Sequence, residues 1–212
     1  MNKAIFRLMV GFRRFREKYY VPEHSIYQRL ASSGQTPKTL LIGCSDSRVD
    51  PAILTGAAPG ELFVVRNVAN LVPPCATVTN GFHGTSSAIE FAVMNLKVDN
   101  VIVLGHRQCG GVRALMQPSE TTGQFIGSWI KIADDARTKV LAEAGDADDE
   151  TKWRMAEMES LKVSIRNLHT FPFVQEAIKS RGMNVIGIYF DLERGQLWEL
   201  DNELGAFRQL EI

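Results

Sequence analysis

Cysteine is scarce in this chain, long apolar runs are missing, and there is no net charge. Three cysteines, Cys44, Cys75 and Cys109, are too few and too odd in number for a disulfide framework; thiols of this kind more often bind a metal or react. No apolar run approaches the roughly 20 residues that cross a bilayer. The stretch from Met1 to Tyr20 carries arginines where a secretory signal needs an unbroken apolar core. The expectation is a cytoplasmic protein with no membrane partner. Lysine plus arginine equals aspartate plus glutamate, 24 each, so no overall field gathers nucleic acid, and none is expected as a partner. No repeat, low-complexity tract or linker interrupts the 212 residues, a length that suits one domain, 1–212.

What is present is alternation of helical and strand patterns. Ile5, Leu8, Met9, Phe12, Phe15 and Tyr19 recur at three- and four-residue steps opposite Arg7, Arg13, Arg14 and Lys18, which predicts an amphipathic helix. With a second helix over 25–32 it forms an N-terminal helical arm, 1–34. The pattern alone leaves open whether the arm covers its own core or lies across a partner subunit. Thr39–Gly43, Glu61–Val65, Asn100–Leu104 and Asn184–Phe190 read as short buried strands, and Gln196–Leu200 as a returning edge strand. Helical periodicity occupies 85–96, 125–141 and 152–168. The acidic stretch 145–150 reads as a solvated loop, and a further helix opens at Thr170 with Pro172 and closes at Gly182. Strands separated by helices pair in parallel, because such connections need a crossover. The fold expected is α/β: a mostly parallel central sheet of four strands plus an antiparallel edge strand, flanked by helices.

Two short segments carry the chemistry. Cys44 stands just past the first strand in Cys44-Ser45-Asp46-Ser47-Arg48; His106 and Cys109 stand just past the third in Gly105-His106-Arg107-Gln108-Cys109-Gly110-Gly111. In open parallel sheets ligands gather at these carboxyl ends, where the strand order reverses. Thiolate and imidazole suit zinc, and three protein ligands leave a fourth position open for catalysis. A lone cysteine after a buried strand is more often packing than a ligand, and a lone His-x-x-Cys is a weak signal. Together, at matched strand ends, the two motifs outweigh those readings. Cys75 has no such neighbours and is assigned to structure. The amides that open the helix at Gly110-Gly111 favour the Cys109 thiolate and an anion beside it.

These segments resemble the signature of the beta-class carbonic anhydrases, and so do Pro59 to Asn70 and Ala88 to Ala92. The resemblance implies reversible hydration of carbon dioxide to bicarbonate and a proton, by hydroxide on a Zn2+ ion held by Cys44, His106 and Cys109. It implies that Asp46 orients the hydroxide and that Arg48 holds Asp46 ionised and in place. The same carboxylate could instead bind zinc as a fourth ligand and close the site. One subgroup of the family builds a bicarbonate pocket with a tryptophan where this chain has Leu41. Arg66 matches the arginine of that pocket, but leucine has no donor. The plant-like, open-site subgroup is the nearer match, with Gln35, Phe63, Phe91 and Gly110 at its substrate-binding positions. In that family Gln35 and Phe91 reach the site across a dimer interface, so a homodimer or tetramer is expected. His24, His83 and His169 are equal candidates to carry the product proton. Three other readings use the same residues: a hydrolase of carbon disulfide-like substrates, a non-catalytic zinc site closed by Asp46, and a redox pair of Cys44 and Cys109.

Overall fold

A computed structural model of the chain describes residues 2–20, 25–76, 81–117 and 123–211. The N-terminal arm consists of α1 (Lys3–Tyr20) and α2 (Ile26–Ser33). Among the described residues α1 buries none of its side chains. Its apolar stripe is left open: Ile5, Leu8, Met9 and Phe12 are all exposed. Phe15 is the exception in part, packing in tilted and edge-on contacts against Tyr19, Tyr20 and Tyr27 where the two helices meet.

The central sheet contains β1 (Thr39–Cys44), β2 (Leu62–Asn67), β3 (Asn100–His106), β4 (Asn184–Asp191), β5 (Gln196–Asp201) and β6 (Ala206–Gln209) in the order β2-β1-β3-β4-β5-β6. The first four strands are parallel, and the last two return antiparallel. The sheet expected from sequence is therefore present with one strand more. Ala206-Phe207-Arg208-Gln209 offers a single large apolar residue and no alternation to reveal it. It forms because the turn from Asp201 to Gly205 folds it back, with Gly205 in the left-handed region at φ +62.

Three helical expectations are corrected in detail. The helix over 85–96 begins at Gly84 as α4 (Gly84–Glu90) and widens into a π-turn over Phe91–Asn95, which leaves Phe91 and Met94 exposed. The helix over 125–141 is three pieces: α6 (Gln124–Ile130), a 3-10 turn over Lys131–Ala133, and α7 (Asp134–Glu143). The acidic stretch is a helix start rather than a loop throughout. Asp148 caps α8 (Asp149–Leu168) by accepting the Thr151 amide at 2.7 Å, and Asp149 and Glu150 fill its positive first turn. Further helices are α3 (Pro51–Thr55), α5 (Gly110–Met116) and α9 (Pro172–Arg181). α3 was not anticipated, although its signals are present: Asp50 caps it through the amides of Ala52 and Ile53, with Pro51 in its first turn.

Leu40, Ile42, Val101, Val103 and Tyr189 point to one face of the sheet, where α8 and α9 bury them. α8 lies unusually close there. A Cβ on Gly105 would stand 2.9 Å from Leu161, and one on Gly187 only 2.5 Å. Both strands have glycine where Leu161 descends, and this fixes the helix against β3 and β4. On the opposite face Leu41, Ile102, Leu104, Ile188 and Phe190 line a groove of about 880 Å3, partly closed by Leu54 and Leu197.

Gly187→Ala should therefore lift α8 from the sheet and cost about 1–3 kcal/mol, the usual range for overpacking a tight core. Urea denaturation checks this; an unchanged midpoint would mean that the contact relaxes freely.

Candidate metal centre

β1 and β3 are adjacent and parallel, with Gly43 beside Leu104. β1 connects outward to β2 on one side, and the chain then crosses to β3 on the other, so the order reverses between β1 and β3. Cys44 ends one of these strands and His106 ends the other. Residues far apart in sequence thus meet at the switch point, where an open sheet leaves a crevice.

The sulfurs of Cys44 and Cys109 are 3.9 Å apart. The ligand atoms of Cys44, His106 and Cys109 all lie within 4.8 Å of one another, and all three residues are buried. Around them Val49, Ala69, Leu71, Val112 and Leu115 form an apolar cluster. Two observations show that the site fits a metal. His106 Nδ1 is 2.8 Å from the Arg107 carbonyl, and since a carbonyl only accepts, Nδ1 carries the proton and Nε2 keeps its lone pair. That Nε2 is buried and has no hydrogen-bond partner, the condition of a nitrogen arranged for an ion. Two thiols and an imidazole form a donor set suited to zinc.

The ionisation of the three groups reflects how closely they are packed. Shared hydrogen bonding with Cys109 lowers Cys44 to about 4, with help from His106 and the Asp46 amide. The same bond, together with burial, pushes Cys109 up, so the two thiols do not ionise independently, and a cation held between them would favour both as thiolates. Burial opposes a charged His106, yet the Cys44 thiolate outweighs it and raises the imidazole above its ordinary value.

Asp46 stands outside the cluster of three and faces Arg48. Arg48 Nε donates to Asp46 Oδ1 at 2.9 Å and Nη2 to Oδ2 at 2.7 Å, a two-pronged pair. These bonds hold the Asp46 carboxyl far below the usual carboxylate range. Arg48 Nη2 also donates to the Gln108 carbonyl at 3.0 Å, and Nη1 to its side-chain oxygen at 3.3 Å. One guanidinium therefore joins the two ligand loops. The loop from His106 to Cys109 needs this restraint, because Gln108 takes a left-handed φ of +58 without being glycine.

Sequence reasoning did not find the full part played by Arg66. Its Nε donates to the Cys44 carbonyl at 2.9 Å, Nη2 to the Asp46 carbonyl at 2.6 Å, and Nη1 to Asp50 at 3.0 Å. It holds the Cys44 loop in shape. Its register opposite Gly43, one residue before Cys44, is the signal that could have located it.

The residues expected to bind substrate are spread more widely. Gly110 is exposed and lines a cavity of about 590 Å3 with Arg48, Gln108 and Cys109. Phe63 and Phe91 meet with ring centroids 5.8 Å apart. Phe63 pairs in register with Leu40, four residues back along β1 from Cys44, which is roughly 13 Å of strand. Gln35 is exposed and precedes the opposite end of β1 from Cys44. Within one chain these three do not join the metal cluster. His169 is the residue that follows α8. His83 is exposed before α4, and His24 lies outside the described residues. Cys75 is exposed and apart from the site, its amide donating to Thr170.

A parallel sheet with buried soft ligands at its switch point defines a zinc-dependent α/β enzyme. Comparison with known proteins gives the family. Residues 39–197 match the carbonic anhydrase family model, and the chain belongs to that family, in its beta class. It is 36% identical over 204 residues to beta carbonic anhydrase 3 of Arabidopsis thaliana, covering 93% of this chain and 78% of that protein. Its fold is similar to the beta-carbonic anhydrase CcaA, with TM-score 0.90, 29% identity and coverage of 100% of this chain and 94% of that one. It is also similar to a tetrameric beta-carbonic anhydrase of the ascomycete Sordaria macrospora, with TM-score 0.83, 31% identity and coverage of 95% and 98%. The activity is the reversible hydration of carbon dioxide to bicarbonate and a proton, and the cofactor is zinc.

Proposed function

We propose that Cys44, His106 and Cys109 hold the zinc of this carbonic anhydrase, and that Asp46 and Arg48 complete its catalytic machinery in an open site. The observation that carries the reading is the grouping of three ligand atoms within 4.8 Å beside a carboxylate already engaged by arginine. Zinc, when bound, lowers the pKa of a coordinated water so that a nucleophile exists near neutral pH. Asp46 serves as an acceptor that orients the attacking group. Arg48 keeps it ionised and fixes its orientation, its side chain giving one bond to each carboxylate oxygen, which leaves Oδ2 a further lone pair with which to accept. The buried apolar wall around the ligands excludes bulk water and strengthens these interactions. Gly110, at the start of α5 beside Cys109 and Arg48, suits an anionic product.

We further read the protein as a cytoplasmic homo-oligomer, at least a dimer, with 1–212 as one domain. No described helix is long and apolar enough to cross a membrane. Parallel sheets are ordinarily covered on both faces, whereas here the groove over Leu41, Ile102, Leu104 and Ile188 is open and the arm carries an uncovered apolar stripe. The arm of a second copy satisfies both surfaces, and a dimer brings Gln35 and Phe91 to a neighbouring site.

Stopped-flow assay of the zinc-loaded protein with carbon dioxide from pH 7 to 9 tests the assignment. Cys44→Ser and His106→Ala should lose zinc and activity together. Asp46→Asn should keep zinc and lose rate on the order of 100-fold, and Arg48→Gln about 10- to 100-fold. Activity retained in either ligand variant would refute the ligand assignment. Removal of residues 1–34 should yield a monomer in sedimentation, and an intact oligomer would remove the arm from the interface.

A further inference from the structure

A second buried polar group lies under the metal loop, and none of the roles above uses it. Leu161 seats α8 on Gly105 and Gly187. One turn earlier on the same helical face, Glu157 reaches beneath His106–Cys109. Its side chain is only 3% exposed. Glu157 Oε1 accepts the backbone amide of Cys109 at 3.1 Å, and Oε2 accepts the hydroxyl of Tyr189 at 2.8 Å. Arg107 Nη1 stands 3.6 Å from the same carboxylate, and the arginine side chain is itself buried.

Burying an ion pair of this kind gains little stability over well-packed apolar residues, so its geometry asks for another reason. The geometry converges on the ligands. Cys109 is the residue that caps the start of α5. Its backbone amide donates to Glu157. Arg107 serves both ligands: its carbonyl fixes the His106 ring through Nδ1, while its guanidinium balances the carboxylate that holds Cys109. Further charges on Arg107 come from Glu150 at 2.5 Å and Glu193 at 3.8 Å, each more exposed.

We infer that Glu157 is a positioning residue for the metal site. Its carboxylate, braced by Arg107 and Tyr189, fixes the backbone of Cys109 so that the sulfur is preset for zinc. The inference rests on the reading of Cys109 as a ligand.

The test is zinc affinity by chelator competition, with the thiolate-to-metal absorption bands of the cobalt(II)-substituted protein as a second readout. Both are measured on the full chain. Glu157→Ala should weaken zinc binding about 10- to 100-fold and shift the cobalt bands, the effect expected of a lost outer-shell partner. Glu157→Gln keeps an oxygen for the Cys109 amide and should stay within about threefold of the parent protein. Glu159→Ala, on the same helix but paired with Lys139 and Lys162, should leave both readouts unchanged. A folded Glu157→Ala protein with parental affinity and bands would overturn the inference. Should that variant fail to fold, Tyr189→Phe decides: several-fold weaker zinc with shifted bands supports it, and no change overturns it. Absence of thiolate bands in the parent protein would refute the ligand assignment instead.

Discussion

Everything at this site depends on the parallel pairing of β1 with β3. That register sets Gly43 beside Leu104 and so ends both strands at one level, bringing together cysteines 65 residues apart in sequence. A one-residue slip would turn the side chains of either strand to the other face and separate the ligands. The register is held by the faces themselves: Leu40, Ile42, Val101 and Val103 bury on one side, and α8 descends on Gly105 and Gly187 with no space for another atom. Core packing and metal geometry are thus the same constraint, expressed at different heights along the strands.

The site is costly to assemble without a cation. Two sulfurs at 3.9 Å cannot both ionise easily in an apolar cluster, which is why Cys44 is acidic only at the expense of Cys109. A divalent ion held by these residues would remove that conflict, and its binding would contribute to folding as well. The loops that carry the ligands are strained or irregular, with Gln108 left-handed. Three arginines restrain them: Arg66 from the Cys44 side, Arg48 across the mouth and Arg107 from beneath. Each is planar and has several donors, which suits it to tying carbonyls and carboxylates together.

Much of this was legible in the chain. The five strands expected from sequence form, and the proposed ligands stand out because soft side chains directly follow two apolar runs. What escaped was set by context. β6 pairs because a turn returns it to β5, and nothing in Ala206–Gln209 itself announces a strand. The break at Lys131–Ala133 and the π-turn at Phe91–Asn95 arise inside segments whose periodicity continues across them. Glu157 reads as one more charge on an amphipathic helix, because its partner at Cys109 is 48 residues away. Asp50 and Pro51 do carry the signal for α3, a capping carboxylate followed by proline in the first turn.

The proposed zinc site has two sulfur ligands and one imidazole, with Asp46 engaged by Arg48. X-ray absorption at the zinc edge near neutral pH measures that coordination directly. Two sulfur scatterers, one histidine nitrogen and one light atom are expected, with a signal that is the same in Asp46→Asn as in the parent protein. A single sulfur, or a light-atom shell that changes when Asp46 is replaced, would contradict it.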